Sequence, residues 1–415
     1  LRVGDVQGRP LNPNLGDTAG ALASYTKSIA LFESLAGAGG DASMQRERAN
    51  AYVRMSEVLS STGDTAKALE FAKKGLALQR ESTGSAASIE ARNALAATHS
   101  RVGDLLSATG DTRGALEERR RSLALMEAIA AVSPADPVTI RQLGVAYHKL
   151  GNSLGNPNYP NVGEFEGALE ELEKSGAVFR KGVALHPNNA VFRRNLGIID
   201  SNVADVLLAL KRPAEALQRQ LEARATFESL AAADPTNVAA RDDVAISQSK
   251  IAEMLDANGR SKEAVGEFQR ALAIHQQLAA ADPQNRKFTL EVASDHNRLA
   301  TAQMKVGLRA PSLSNHTSAV TMSRELSAAN PGNVELRVAV ALALTGRGDA
   351  WALFAKPPSA TRAADLANAE RDYREAVMIL EKLHEEEVIG GTDVETLDNA
   401  RKELSRIRGE LGRGK

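Results

Sequence analysis

Between residues 238 and 281 the apolar positions follow helical spacing twice over. Ile251 and Leu255 fall on one face of a first stretch, and Val265, Phe268 and Leu272 on one face of a second. Apolar residues that recur every three or four positions mark amphipathic helices. The pattern predicts helix A over about 238–257 and helix B over about 262–281. At ~1.5 Å per residue each is roughly 30 Å long. No stretch of alternating apolar and polar residues competes, and alanine and leucine dominate throughout. The predicted class is all-α.

The same phrase recurs along the chain. A small residue on helix A stands at Gly4, Ser56, Gly103, Gly151, Ala204, Ala252, Ala300 and Gly348, spaced 47 or 48 residues apart except for two intervals about five residues longer. Fifteen residues upstream lies a column of Asp41, Ser88, Asp136, Asn189, Asn237, Asn285 and Asn333. These are N-cap types, whose side chains accept from the free N–H groups of a first turn. In most units a proline precedes the cap by two residues: Pro134, Pro187, Pro235, Pro283 and Pro331. Proline cannot continue a helix and restricts the residue before it. Helix B carries its own small columns, Ala21, Ala68, Ala115, Ala168, Ala216 and Ala264, then Ser28, Gly75, Ser122, Ser175, Ala223 and Ala271 seven residues later. Small residues at a crossing let two helix axes approach, and they must recur if the stack is regular.

Small residue, alanine, small residue and closing proline in this order resemble the tetratricopeptide repeat, whose usual period is about 34 residues. The 14 extra residues here amount to seven on each helix. Seven residues make nearly two turns, so each extension returns to the same face. The resemblance implies a right-handed superhelical solenoid of about seven and a half helix-turn-helix units over 1–391. The polar segment 392–415, "DVETLDNARKELSRIRGELGRGK" in its main part, is expected to close the stack as a capping helix and tail. A narrower resemblance lies at the start. "LRVGDVQGRPLNPNLGDTAGALASY" is similar to a segment in the C-terminal repeat regions of bacterial receptor-like serine/threonine protein kinases. The chain carries no kinase glycine-rich loop, His-Arg-Asp loop or Asp-Phe-Gly.

Two inserts account for the long intervals. "VGDVQGRPLNPNLGD" and "LGNSLGNPNYPNVGE" align as Gly-x-x-x-Gly-x-Pro-x-x-Pro-Asn-x-Gly and lengthen the turn between helices A and B. Such a loop is either a built turn or a functional rim. Unit seven looks irregular, because Pro311 and Ser312 fall where helix B should begin. Asn315-His316-Thr317 there matches a glycosylation sequon.

Composition narrows the chemistry. Of 415 residues none is cysteine, which excludes disulfides and thiol catalysis, and the formal net charge is −1, so no global field draws nucleic acid or lipid. Aromatics are 4%, too few for base stacking. No apolar run reaches the roughly 18 residues that span a membrane. The seven histidines stand singly, without partners at metal-ligand spacing. "AGAGGD" at 36–41 follows no strand, and "EERRR" at 117–121 reads as a solvated helix face. Trp351 falls in a core column with Leu59, Leu106, Leu154, Leu207 and Leu255. No catalytic, metal or cofactor residues are predicted.

One polar pattern stands out. The residue after each small position is Asp5, Glu57, Asp104, Asn152, Asp205, Glu253, Thr301 and Asp349. Three residues before it stand Arg2, Arg54, Arg101, Lys149, Asn202, Lys250, Arg298 and Gly346. Residues three apart are neighbours on a helix. The resemblance places both columns on the concave groove that holds peptides. Either the charges bind a partner, or the two ladders neutralise each other within and between repeats. The family's clamp for peptide C-termini needs lysine at a position held here by Val53, Ser100, His148, Ser201, Ser249, Asn297 and Thr345, so it does not carry over. The expected function is a non-catalytic scaffold for protein or peptide. The alternatives are head-to-tail self-assembly, or the sensor region of a kinase whose catalytic domain lies elsewhere. The compartment stays open, cytoplasmic or, for a secreted or kinase-anchored chain, extracytoplasmic.

Overall fold

The computed structural model describes residues 1–10, 13–36, 42–82, 88–356, 361–386, 388–389 and 392–413. Asp41 and the glycine-rich 37–40 lie outside them. Among the described residues there are only helices. By contact the chain divides into two compact units, Leu1–Arg219 and Gln220–Lys415.

In unit 1 the A helices are α1 (Arg2–Gly8), α3 (Ala42–Ser61), α5 (Ile89–Ala108), α7 (Pro137–Gly155) and α9 (Ala190–Ala209). Between and after them run the B helices α2 (Thr18–Ala36), α4 (Thr65–Ser82), α6 (Thr112–Val132), α8 (Phe165–Leu185) and α10 (Pro213–Ala233), the last of which holds the unit boundary. From α1 to α9 each helix packs on the next. The buried spine between α1 and α6 includes Tyr25, Val58, Ala72, Val102 and Leu105.

Unit 2 repeats the scheme. Its A helices are α11 (Val238–Ala257), α13 (Arg286–Lys305), α15 (Val334–Phe354) and α17 (Thr392–Arg413), and its B helices α12 (Ser261–Ala281), α14 (Arg309–Ala329) and α16 (Arg362–Glu385). The expected 238–257 and 262–281 are met to within a residue. Ile251, Leu255, Phe268 and Leu272 are buried, and Val265 is half-buried. A second spine includes Leu344, Tyr373, Leu380, Leu397 and Ile407, so α17 seals its apolar face on α16. Trp351 packs partly buried at the edge of that spine, with the Arg309 guanidinium 5.9 Å from its ring centroid.

The small columns meet carbonyl oxygens of the facing helix. A Cβ on Gly151 would lie 3.1 Å from the Ala168 carbonyl and 2.8 Å from Leu172, and one on Gly103 would lie 3.2 Å from the Ala115 carbonyl. The same crossing recurs one repeat on, with alanine columns closing on glycine columns. The second B-helix column adds something its smallness did not announce. Ser122 Oγ donates to the Ala96 carbonyl at 2.8 Å, and Ser175 Oγ to the Gly144 carbonyl at 2.7 Å. Both serines are buried, so each hydroxyl satisfies itself on the neighbouring helix rather than in water.

The caps behave as their chemistry requires. Ser88, Asp136, Asn189, Asn237 and Asn333 accept from first-turn N–H groups. Asn285 occupies the N-cap of α13 without such a bond. Among the described residues, six turns from A to B place one residue in the left-handed region, supplied by Gly16, Gly63, Gly110, Gly163, Gly259 and Gly307. In the α9–α10 turn that place is taken by Lys211, at φ 60.

Unit seven corrects an expectation. Helix α14 runs unbroken from Arg309, with Pro311 in its first turn, where no intrahelical partner for an N–H is lost. Ser312 is fully buried and donates to the Ala300 carbonyl at 2.9 Å, so it performs as the crossing residue. Asn315 sits inside this helix, donating to Gln303 at 2.9 Å and bonded to His296 at 2.7 Å, which is not the exposed loop a glycosylation site requires.

Unit 2 also buries ions. His275 on α12 is 1% exposed, with Nδ1 2.6 Å from Asp295 of α13 and Nε2 3.3 Å from Asp242 of α11. Lys287 reaches Asp242, and Ser249 donates to Asp295 at 3.2 Å. Burial opposes a charge on His275, but hydrogen bonds donated to the two carboxylates, with their charge, outweigh it and raise its pKa to about 9.

Candidate functional site

The predicted charge columns lie on the A helices, and their partners come mainly from neighbouring repeats. Arg54 reaches back to Asp5 at 2.8 Å, Lys149 to Asp104 at 2.6 Å, and Arg298 to Glu253 at 3.3 Å. Arg101 donates to the hydroxyl and carbonyl of Ser56 at 3.1 and 3.0 Å. The basic residue of one repeat therefore ties to the preceding one, 45 to 49 positions away, rather than to the acid three residues on. The arrangement is an inter-repeat zipper.

Other members of the columns take different partners. Glu57 accepts from Arg9 at 2.7 Å, and Asp5 also accepts from the Tyr25 hydroxyl at 2.7 Å. Asp349 accepts from Tyr373. Lys250 is half-buried, while Glu253 is exposed. Asp205, 8% exposed, accepts from Asn158 at 2.8 Å.

Where the charges lapse, a neutral link replaces them. Asn152 and Asn202 stand in the acid and base columns of consecutive repeats, and both amides donate to Nε2 of His148, Asn152 at 3.1 Å. Burial, then the nearby charges of Lys149 and Arg119, push the His148 pKa down to about 4. The ring is neutral at physiological pH, and its free nitrogen can accept.

In their described residues the two inserts share the same bonds. Asn14 and Asn161 each accept from the glycine two residues on, at 2.8 and 2.9 Å, and donate to the carbonyls of Arg9 and Asn156. Backbone bonds repeat as well, Leu15 to Val6 and Val162 to Ser153. A Cβ on Gly8 or Gly155 would lie 2.8 or 2.7 Å from the backbone opening the next helix. Each insert is thus a built turn, and each delivers a side chain, Arg9 or Asn158, to the acidic column of the following repeat. The sequence reading missed Arg9, Arg119, Asn158 and His148. The shared Gly-x-Pro frame was the available signal, but it does not say where the loop's side chains go.

The second insert also roofs a cleft of ≈ 310 Å³ in unit 1. Its walls are Asp104 and Ser107 of α5, Arg119 of α6, Val145, His148, Lys149 and Asn152 of α7, and Tyr159 and Pro160 of the insert. Arg119 and Lys149 share the single carboxylate of Asp104. A smaller cleft of ≈ 110 Å³ adjoins it through Val145, lined by Asn93, Ala97, Met126, Arg141 and Gln142 among others. Among the described residues no group of three or more His, Asp or Glu is placed to hold a metal, and no helix is long and apolar enough to cross a membrane.

Comparison with known proteins agrees with this architecture. Residues 49–82 match the tetratricopeptide repeat model, over one unit's α3 and α4. Among solved structures, the signal transduction ATPase PH0952 of Pyrococcus horikoshii, described as having a tetratricopeptide repeat sensor, is 11% identical with a TM-score of 0.53, covering 89% of this chain and 54% of that one. The apo form of RapI is 12% identical with a TM-score of 0.48, over 81% and 99%. A Rap protein complexed with competence and sporulation factor is 13% identical with a TM-score of 0.44, over 97% and 100%. No curated protein matches the sequence. The fold is that of a tetratricopeptide-type repeat protein, with helices longer than the family's usual ones.

Proposed function

We propose that the chain is a non-catalytic scaffold that holds an extended protein or peptide segment along the A-helix face of unit 1. The observation that carries this is the pair of adjoining clefts between α5 and α7. The larger has a self-bonded, glycine-anchored loop for a roof and an exposed tyrosine, Tyr159, at its mouth. A rigid wall of this kind pre-organises a site at low entropic cost. The zipper of Asp5, Arg54, Asp104 and Lys149 then acts first as glue between repeats, and only Asp104 and Lys149 also face the cleft.

The test is a random peptide display selection on the immobilised chain, repeated with Y159A and K149A. Selected peptides that lose binding to both variants support the reading. A selection that enriches nothing, or peptides indifferent to both changes, refutes it. Self-association is a second reading, favoured by Leu35 of α2. It is 40% exposed, whereas its counterparts Ile129 and Leu278 are at most 1% exposed. Sedimentation velocity across a concentration series that shows only monomer would eliminate it.

A further inference from the structure

We propose that the ≈ 110 Å³ cleft of unit 1 is a pocket for a glutamine side chain of the bound segment. The inference rests on the peptide reading above and names one residue of that segment. Asn93 of α5 and Gln142 of α7 both line the cleft. The side-chain oxygen of each is buried, and neither accepts a hydrogen bond from the protein. Nearly all buried polar atoms in folded proteins are paired, so two unmatched acceptors on one small cleft mark a place that a donor can complete. Arg141, which is exposed, lines the same cleft.

Neither amide belongs to the repeat. In the neighbouring repeats of unit 1 the place of Asn93 holds Arg46, Arg141 and Arg194, and the place of Gln142 holds Glu47, Ala94 and Asn195. Stacking recurs at every repeat without them, and Ala94 shows that the second place does not require a polar group at all. The two amides therefore converge on this cleft for a local reason.

The occupant follows from size and chemistry. A volume of ≈ 110 Å³ suits one side chain, since sites for whole small molecules run to about 300–1,000 Å³. The other walls include Ala96, Met126, Val145 and Ala146, and the lining holds no carboxylate. The guest must combine a short apolar stem with a head that donates to both oxygens. A primary carboxamide carries two N–H groups on one nitrogen, one for each oxygen, and a carbonyl that can accept from the Arg141 guanidinium. A carboxylate would pair with Arg141 but set lone pairs against lone pairs. An ammonium would meet Arg141 with no acid in the cleft to balance the two charges. The last torsions of Asn and Gln are broad, so a turn of either amide presents it to the guest. Glutamine has one methylene more than asparagine to lay against Met126 and Val145.

The experiment is saturation-transfer NMR of the whole chain with the tripeptide Ala-Gln-Ala and its Glu, Lys and Met counterparts, each acetylated and closed with a methylamide. These caps leave the glutamine side chain as the one primary carboxamide. The expected result is binding of the glutamine tripeptide alone, with the strongest transfer to its β and γ protons. N93L and Q142L should each weaken it by about three- to tenfold, and R141M, at an exposed site, by about threefold. Circular dichroism should report unchanged helicity for all three. Equal binding of the glutamate or methionine tripeptide, no saturation transfer at all, or indifference to N93L, Q142L and R141M in the folded chain overturns the proposal. If display selection still yields peptides that need Tyr159 and Lys149, the scaffold reading survives that failure. If it yields none, both fall.

Discussion

Replacing His275 with phenylalanine should destabilise unit 2 far more than its size suggests. The equivalent place on helix B holds Phe179 and Phe227 in other repeats, both buried in the core, so the ring itself fits. What is lost is the cation between Asp242 and Asp295. Asp295 is fully buried and would be left with the Ser249 hydroxyl and the Arg298 guanidinium at 3.6 Å, and breaking a buried pair by removing one partner costs about 3–5 kcal/mol. The native pair should also be pH-sensitive. The histidine pKa rises from 6.5 unfolded to about 9 folded. At about 1.4 kcal/mol per unit this is a stabilisation of roughly 3 kcal/mol. Because the folded value is the higher one, that stabilisation is complete below pH 6.5 and disappears as pH climbs through 9. Urea denaturation followed by circular dichroism at several pH values would measure it, with hydrogen exchange locating the loss in α11–α13. The double variant H275F/D295A removes the His275–Asp295 pair and leaves Asp242 on Lys287, and the equivalent of Asp295 is alanine at Ala51 and Ala343. It should regain most of the stability and lose the alkaline slope. A double variant no better than H275F, or a wild-type slope that persists in it, would refute the reasoning.

Lys211→Gly should stabilise the chain by about 1 kcal/mol, since among the described residues only this A-to-B turn holds a non-glycine in the left-handed region; a lower urea midpoint would contradict this. Gly151→Val should cost about 1–3 kcal/mol, because its side chain would meet Leu172 and the Ala168 carbonyl, and a neutral result would show that α7 and α8 can separate freely. Arg54→Met should cost no more than about 1 kcal/mol, the pair with Asp5 being partly solvated, and the difference should shrink in high salt. Asn315 should remain unglycosylated on the folded chain when it is expressed in a glycosylating host, as intact mass would reveal.

Much of the fold is legible because its causes are local. A helix face is written every three or four residues, a cap within three, and a left-handed turn in a glycine. The crossing of Gly151 with Ala168 could be anticipated from smallness alone, since the repeat places the same two columns together each time. Pro311 misled because proline's effect depends on its place in the helix, and the true start at Arg309 puts it where a missing N–H costs nothing.

The candidate site is less local. Which carboxylate receives Lys149 is settled by stacking, which brings residue 104 beside 149 and leaves the acid column's own entry at 152 a neutral amide on His148. The columns named the charged residues, and only the packed helices paired them. The same holds for Asn158 and Arg9, whose loops the sequence marks as alike but whose targets, Asp205 and Glu57, lie one repeat away. Periodicity is a property of the chain and survives in the sequence. Partnership between side chains some 45 to 49 residues apart depends on the distance and angle at which one helix pair settles on the next, and so exists only in the folded molecule.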